Sequence, residues 1–406
     1  MRQARNMATL KMARERGHWM WVAVCTLGSL YIGSTLLTPL YPLYRKEFGF
    51  SELAVTEIYA AYALGNLAAL FWFGRLSDQL GRRRTALAAL AVTAASVALF
   101  LLARSTGWLF AARILNGVGA GVGAGAITAW IAELEPNGDK ARAAVVASSG
   151  NVGGLAFGAL LSGFLAEHGP WPLRLGWAIF LAILLAAFVG MALAPETVRH
   201  TAKRASDLSL KPRIGVPAGI RIPFISPAAM ALATFALGGF YASLIPGLLM
   251  DTLHQSDLAV IGGLSGAFFG VACVAAASTG AMGARAAMIS AVALMLPGLA
   301  MLVAAEALAS MALLVGATVL GGAGMALGYR ASLQIVNVLA PEAKRAEVVS
   351  TYLLVCYLGN GLPVLGVGLL SESVGGELAH RIFAATLAVL ACIAAGVAWR
   401  YVKEDD

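Results

Sequence analysis

The sequence contains little charge. Among its 406 residues, charged side chains make up 12% and hydrophobic ones 59%, with a mean hydropathy of +0.79. A soluble protein of this length needs a more polar surface, so two soluble domains joined by a linker are excluded. Apolar stretches of roughly 20 residues, the length that crosses a bilayer, recur along the whole chain. The composition therefore predicts a protein that crosses a membrane many times.

The chain also lacks the residue clusters that catalysis, metals and nucleotides require. Its four cysteines lie singly within apolar runs, without a CxxC pair or the spacing of zinc ligands. All five histidines fall at the ends of apolar runs or between them, and there is no Walker motif. We therefore expect no enzyme activity, no metal, no cofactor and no direct use of ATP.

The net charge of +8 does not indicate a nucleic-acid partner, because the basic residues lie in the gaps between apolar runs and not on one face of a folded domain. Short basic loops collect on the cytoplasmic side of a membrane. The distribution predicts that both termini are cytoplasmic in a bacterial-type inner membrane, with the basic residues 2–16 in a tail that precedes an uncleaved first helix. The basic residues that then fall between spans on the outer side are Arg45, Lys46, Arg104, Arg174 and Arg381.

The spans must be helices, because unpaired backbone is too costly in lipid and no alternating pattern indicates a barrel. One long polar break divides them into six and six. We predict a tail at 1–18, a six-helix bundle at 19–195, a central loop at 196–226, a second bundle at 227–401 and a tail at 402–406. The twelve predicted spans lie near 19–40, 55–76, 85–104, 107–134, 143–166, 172–194, 227–249, 258–279, 286–304, 308–338, 346–371 and 379–401.

The two halves resemble each other. Residues 113–136 align without gaps with residues 318–341, and both segments are glycine-rich and end in Leu-x-Pro before a basic turn. A repeat of this size is typical of transporters built from two related halves. The alternative is that two glycine- and alanine-rich helices align by chance.

Large polar residues are unevenly distributed among the spans. The third, sixth, ninth and twelfth spans have almost none in their middles, whereas the others carry several. Because isolated polar groups are costly in hydrocarbon, we predict that these residues line a water-accessible cavity between two bundles. The alternatives are helix packing for each tyrosine and snorkelling to the interface for Arg113. The predicted pathway residues are Tyr31, Tyr62, Asn66, Arg113, Asn116, Tyr241, Tyr329, Arg330, Gln334 and Tyr357.

A charged turn between the second and third spans carries a family resemblance. Residues 74–84 read GRLSDQLGRRR, which resembles motif A of the major facilitator superfamily. Arg113, Gly117 and Gly121 resemble motif B of the same family. Gly150, Gly154 and Gly158 resemble the fifth-span motif of drug–proton antiporters, but the expected proline is replaced. The resemblance covers nearly the whole chain.

This resemblance implies an all-α membrane protein with twelve transmembrane helices in two pseudo-symmetric six-helix bundles. It further implies a gate in which Asp78 bridges to the basic turn and to the start of the eleventh span, with Glu133 able to join. The gate residues so predicted are Gly74, Asp78, Gly81, Arg82, Arg83 and Glu133.

The function implied is export of small organic molecules, drugs or metabolites, by proton antiport with alternating access. The expected partners are a small-molecule substrate, protons and the lipid bilayer, and the protein is expected to work as a monomer. No acid lies at the centre of any span, and two arginines lie within spans. Those features keep open an alternative function, which is proton-coupled uptake or exchange of a small organic anion.

Overall fold

The computed structural model describes residues 2–74, 76–198, 214–280 and 282–401; among these, the side chains of residues 2–15, Leu76 and Ala141 are not described. Most of the predicted central loop and the tail at 402–406 therefore lie outside the described residues. The long helices are α1 (Arg2–Leu36), α2 (Glu52–Phe73), α3 (Arg82–Leu101), α4 (Thr106–Leu134), α5 (Lys140–His168), α6 (Leu175–Leu193), α7 (Arg221–Ser243), α8 (Leu258–Ser278), α9 (Ala284–Ala307), α10 (Met311–Leu339), α11 (Arg345–Val374) and α12 (Gly376–Tyr401).

Shorter helical segments connect them. Thr38–Leu40 and Tyr41–Phe48 follow α1, and Leu76–Leu80 fills the turn between α2 and α3. Ala218–Ile220 precedes α7, Ile245–Gly247 and Leu248–Thr252 follow it, and Glu342–Lys344 precedes α11.

The prediction of twelve apolar spans is confirmed, since twelve helices are long and apolar enough to cross a membrane. The first span is longer than predicted and runs from Arg16 to Phe48. Pro39 and Pro42 fall where a short 3₁₀ segment interrupts it, because proline cannot donate the backbone hydrogen bond that a continuous helix needs. Glu306 lies at the end of α9, outside the predicted ninth span of 286–304.

Helix packing repeats between the two halves. In the first half, α1 packs on α4, α5 and α6, while α4 packs on α2 and α3. In the second half, α7 packs on α10, α11 and α12, while α10 packs on α8 and α9. Each pair in one half thus has a partner six helices later, as two related six-helix bundles require.

The bundles meet along a seam formed mainly by α2 against α11 and by α5 against α8. A Cβ atom on Gly163 would lie 2.8 Å from the Cα of Gly262, so these two backbones approach too closely for any larger residue. Small residues at this crossing allow the two halves to touch over a long surface.

Twelve consecutive spans place the start of α1 and the end of α12 on the same face of the molecule. We call this the basic face, because the turns on it carry Arg82, Arg83 and Arg142, and we call the other the opposite face. At the opposite face, polar contacts tie the bundles together. Thr38 Oγ1 donates to the Ala242 carbonyl at 2.6 Å, and the Leu258 N–H donates to Glu167 at 2.8 Å. The seam is therefore closed at that end.

Candidate functional site

A guanidinium lies fully buried in the first bundle. Arg113 of α4 has no solvent exposure, and its side chain donates to the Ser34 carbonyl at 2.9 Å and to the Tyr41 hydroxyl at 3.3 Å. Its charge also faces the rings of Tyr59 and Tyr62, whose centroids lie 5.4 and 5.1 Å from Cζ. Such cation–π contacts stabilise a desolvated cation. Among the described residues, no carboxylate pairs with Arg113.

Two amides accompany this arginine without full hydrogen bonding. Asn66 Nδ2 approaches the Tyr62 hydroxyl at 3.5 Å, and that hydroxyl accepts from Ser34 at 2.9 Å. Asn66 Oδ1, both polar side-chain atoms of Asn116 and Arg113 Nε have no protein partner within the described residues. Buried polar groups without partners are costly, so water or a polar ligand is the expected occupant beside them.

The close crossing of α2 and α4 brings these side chains together. A Cβ atom on Gly65 would collide with the Ile114 carbonyl, and a Cβ atom on Gly117 would lie 2.9 Å from the backbone nitrogen of Asn66. Both glycines are therefore needed for the backbones to approach. As a result, four predicted pathway residues converge in one cluster: Tyr62, Asn66, Arg113 and Asn116.

An aromatic cluster with members from both bundles lies at the seam. The Tyr31 side chain of α1 lies near the Tyr357 hydroxyl of α11 and the Asn151 amide of α5. Phe235 of α7 packs edge-to-face against Tyr357 and Tyr329, with centroids 6.3 and 5.5 Å apart. Ser34, three positions after Tyr31 on α1, donates to the Tyr62 hydroxyl, so the aromatic cluster adjoins the arginine cluster.

The seam itself contains a direct bond within this region. The Tyr59 hydroxyl of α2 donates to Asn360 Oδ1 of α11 at 2.8 Å. Tyr329, Asn360 and Tyr357 are half-buried, which leaves part of each open to solvent. Both bundles therefore contribute polar and aromatic side chains to one surface between them.

Two predicted pathway residues lie elsewhere. The Tyr241 ring stacks on Phe268 at 4.0 Å and its hydroxyl lies 3.2 Å from Thr318 Oγ1, so it packs inside the second bundle and does not face the seam. The Arg330 guanidinium donates to the carbonyls of Gly280 at 2.6 Å and Met282 at 3.0 Å. These two bonds hold the turn between α8 and α9 at the basic face. The long Arg330 side chain therefore reaches this turn and not the seam. Gln334 is half-buried on the same helix, with Oε1 unpartnered within the described residues.

The charged turn predicted as a gate forms a compact network at the basic face. Arg82 binds Asp78 at 2.6 Å, Ser77 at 2.7 Å and Glu133 at 2.9 Å. Gly81 has φ +101°, a conformation that favours glycine, and Gly74 ends α2. Arg83 contributes its backbone N–H to Glu196 at 3.1 Å. In this structure the Asp78 ion pair stays within the first bundle, and the described residues show no bond from Asp78 to α11.

Sequence reasoning gave no role to two members of this network. Glu196 accepts the backbone N–H groups of Arg82 and Arg83 at the N-terminus of α3, where a carboxylate is favoured by the helix dipole. Thr197 donates to Glu133. The Pro-Glu-Thr triplet that closes the sixth span was the available signal, although nothing in its spacing indicated a contact with α3.

A second pair was also missed, this time at the opposite face. Glu306 at the end of α9 and His380 near the start of α12 are both buried, and Oε1 lies 2.8 Å from Nδ1. They are 74 positions apart, and each sits at the end of an otherwise apolar helix. No local pattern connects them in the sequence.

Comparison with known proteins identifies the chain's relatives. A family model described as Major Facilitator Superfamily matches residues 23–362, which is most of the chain. The match spans both bundles and the seam between them.

Individual relatives are more distant. The chain is 25% identical over 247 residues to the quinolone resistance protein NorA of Staphylococcus aureus, a match that covers 59% of this chain and 62% of NorA. It is 30% identical over 221 residues to an uncharacterized MFS-type transporter of Mycobacterium tuberculosis, covering 54% of this chain and 30% of that protein. The matches thus span less than two thirds of either relative.

Proposed function

The chain belongs to the Major Facilitator Superfamily, and on that premise we propose that it exports small amphipathic organic molecules in exchange for protons. The members of this family are membrane transporters. The substrate surface is the arginine cluster together with the aromatic cluster, and the two bundles rock about it so that it opens to each face in turn. The protein acts in the plasma membrane with both termini in the cytoplasm.

The observation that carries the proposal is the surface shared by both bundles. Tyr31 and Tyr62 come from the first bundle, and Phe235, Tyr329 and Tyr357 from the second. Large aromatic side chains provide apolar area with polar edges, which suits drug-like molecules better than sugars or ions. The resemblance to quinolone resistance proteins supports the same substrate class.

The gate follows from the state that the structure shows. The seam is closed at the opposite face by Thr38 with Ala242 and by Glu167 with Leu258. Asp78 binds Arg82 inside the first bundle. We propose that Asp78 contacts the start of α11 when the opposite face opens, which locks the basic face shut during that half of the cycle.

A second candidate function rests on one specific observation. Arg113 is fully buried, its Nε has no partner, and no carboxylate pairs with it among the described residues. A buried cation of this kind favours an anionic ligand. Uptake or exchange of a small organic anion is therefore the alternative to export.

The test uses everted membrane vesicles that contain the protein. Ethidium and a fluoroquinolone serve as probes, and a pH gradient with an acidic lumen is imposed. Accumulation that requires the gradient and disappears with nigericin supports export. Uptake of labelled benzoate by intact cells, driven by an acidic medium, supports the alternative. Absence of gradient-driven movement of both probes would contradict the export proposal.

The chain offers a matched set of control variants. Tyr31→Phe and Tyr357→Phe remove hydroxyls from the proposed surface, whereas Tyr241→Phe removes one from the interior of the second bundle. We expect the first two to alter the probe KM and the third to leave it unchanged. Equal effects of all three would remove the distinction between the proposed surface and general packing.

A further inference from the structure

The buried charged residues among the described part of the chain are few. They are Arg113, Glu135, Glu306 and His380. Arg113 does not titrate at any working pH. Glu135 lies at the basic-face turn, where it accepts the backbone N–H groups of Asn137 and Asp139 and binds Arg142. Glu306 and His380 are the remaining titratable pair, and the gate and the substrate surface do not use them.

The pair is packed between helices of the second bundle. The edge of the His380 ring meets the Phe240 ring of α7 at 5.1 Å, and Phe240 stacks on Phe383 of α12 at 5.2 Å. His380 Nδ1 bonds Glu306, while Nε2 has no partner within the described residues. An imidazole and a carboxylate in contact can hold one exchangeable proton between them.

The proton count is simple. In its protonated form, the pair consists of an imidazolium and a carboxylate, and its net charge is zero. Release of one proton leaves neutral imidazole hydrogen-bonded to carboxylate, with a net charge of −1. One protonation step therefore changes the charge of a buried site by one unit, which is the change that coupling to a proton requires.

The pair has access to one face. Glu306 and His380 line a cavity of about 380 Å³ at the opposite face, together with Glu52, Asp251 and Glu377. Two of these carboxylates are compensated, because Arg45 lies 3.7 Å from Asp251 and Arg381 binds Glu377. Glu372, two residues before the end of α11, is exposed and is not among the residues that line the cavity. The cavity is thus lined by carboxylates, which favour the entry of cations such as protons.

The pair also contacts the closure of the seam. Phe240 packs on His380 and lies two residues before Ala242, whose carbonyl accepts the hydrogen bond from Thr38 of the first bundle. Glu52, at the start of α2 in the first bundle, lines the same cavity. A change of charge or ring position at His380 is therefore transmitted through one side chain to a contact between the bundles.

We propose that Glu306 and His380 form a proton-binding site of the second bundle, which is loaded from the opposite face and acts on closure there through Phe240. The inference rests on the proposed proton antiport for its role in transport, but proton binding by the pair can be measured without any substrate.

The first test is ¹⁵N NMR of protein labelled at histidine, in lipid nanodiscs, between about pH 5 and pH 9. His380→Gln identifies the signal. We expect the His380 signal to change with pH and to follow a different curve in Glu306→Gln, because that variant removes the carboxylate charge beside the imidazole. The control is His254→Gln, which changes an exposed histidine at the same face and leaves the His380 curve unchanged. A His380 signal that does not titrate, or that titrates identically in Glu306→Gln, would overturn the proposal.

The second test measures coupling in proteoliposomes with ethidium as the probe. In Glu306→Gln and His380→Gln, we expect ethidium transport driven by a pH gradient to fall about tenfold. His254→Gln, at an exposed histidine of the same face, should keep the wild-type rate. Unchanged gradient-driven transport in both variants would overturn the role in coupling. If wild-type transport itself ignores the gradient, proton antiport fails while the NMR result still decides proton binding.

Protein quality is checked by size-exclusion chromatography. If Glu306→Gln does not run as a single peak, Glu306→Asp replaces it, because it retains the charge and withdraws the carboxylate from Nδ1. We expect a displaced His380 curve in that variant too, and an undisplaced one would again count against the pair.

Discussion

The two bundles share a packing scheme but place their charges differently. Arg113 of the first bundle aligns with Thr318 of the second in the internal repeat. Arg113 reaches the Ser34 carbonyl on α1, whereas Thr318 lies 3.2 Å from the hydroxyl of Tyr241 on α7. Equivalent positions therefore connect equivalent helices, with a cation in one bundle and neutral groups in the other. The first bundle presents fixed charge at the seam, and the second buries its titratable pair at the opposite face.

The turns at the basic face differ in the same way. In the first bundle, the turn between α2 and α3 is held by ion pairs of Asp78, Arg82 and Glu133. In the second bundle, the turn between α8 and α9 is held by Arg330, which binds two backbone carbonyls. Ion pairs can exchange partners, whereas Arg330 of α10 binds backbone carbonyls, which carry no charge to exchange. We therefore propose that the first turn is the moving part of the gate.

The sharpest way to break the comparison is to neutralise the buried cation. We expect Arg113→Ala to slow transport about 100-fold, since removing one partner of a buried polar cluster costs ~3 kcal/mol or more. Thr318→Ala, at the equivalent position, is expected to slow it less than about threefold, because it removes only neutral hydrogen bonds, to the Tyr241 hydroxyl and the Leu314 carbonyl. The measurement is the initial rate of ethidium efflux, divided by the amount of monodisperse protein in each preparation. Equal losses in both variants would show that the two positions are not functionally different.

The turn at the basic face should give the next largest effect. Asp78→Asn removes the charge that binds Arg82, and we expect transport about tenfold slower because gating motions set the rate in many such cycles. Unfolding stability should hardly change, since Asp78 is largely exposed and exposed pairs contribute little. Glu342→Gln, at an exposed basic-face turn of the second bundle, is the control and should keep the wild-type rate. A wild-type rate in Asp78→Asn would reject the gate.

Arg330 separates a structural role from a binding role. We expect Arg330→Ala to lower the free energy of unfolding by about 1–3 kcal/mol, because two carbonyls lose a charged donor. The affinity for ethidium, measured by fluorescence, should be unchanged. Arg345→Ala, an exposed basic-face arginine, should alter neither quantity. A large loss of affinity in Arg330→Ala would return this residue to the substrate surface.

The smallest effect is expected at the seam. Tyr59→Phe removes the hydroxyl that donates to Asn360 across the two bundles. A single neutral hydrogen bond contributes about 1 kcal/mol, so we expect a change in transport rate of roughly twofold to fivefold. Tyr44→Phe, which alters a hydroxyl whose 3.4 Å contact stays within the first bundle, serves as the matched control. A change in the control as large as that in Tyr59→Phe would show that the seam bond has no special role.

Much of this architecture could be predicted from the sequence, and particular residues show why. Tyr62, Asn66, Arg113 and Asn116 converge because large polar groups in apolar helices must turn toward one another. Span number followed from apolar length alone.

Other positions depend on information that no local pattern carries. The direction of Arg330 depends on where the turn between α8 and α9 ends, and a long flexible side chain can reach several places. Glu306 and His380 meet only because α9 packs on α12. Tyr241 lies in an apolar helix, as the seam tyrosines do, yet its position on α7 places its ring against Phe268.

The central claim is that the two bundles rock about a shared surface and that the opposite face is closed in this structure. Spin labels at exposed positions test it most directly, in a variant whose four cysteines are replaced. One pair is placed at Lys46 and Ser256 on the opposite face, and a second at Lys140 and Lys344 on the basic face. When ethidium is added and the pH is changed, double electron–electron resonance should show the distance between one pair of labels lengthening as the distance between the other pair shortens. Distances that stay fixed, or that lengthen and shorten together, would contradict the account.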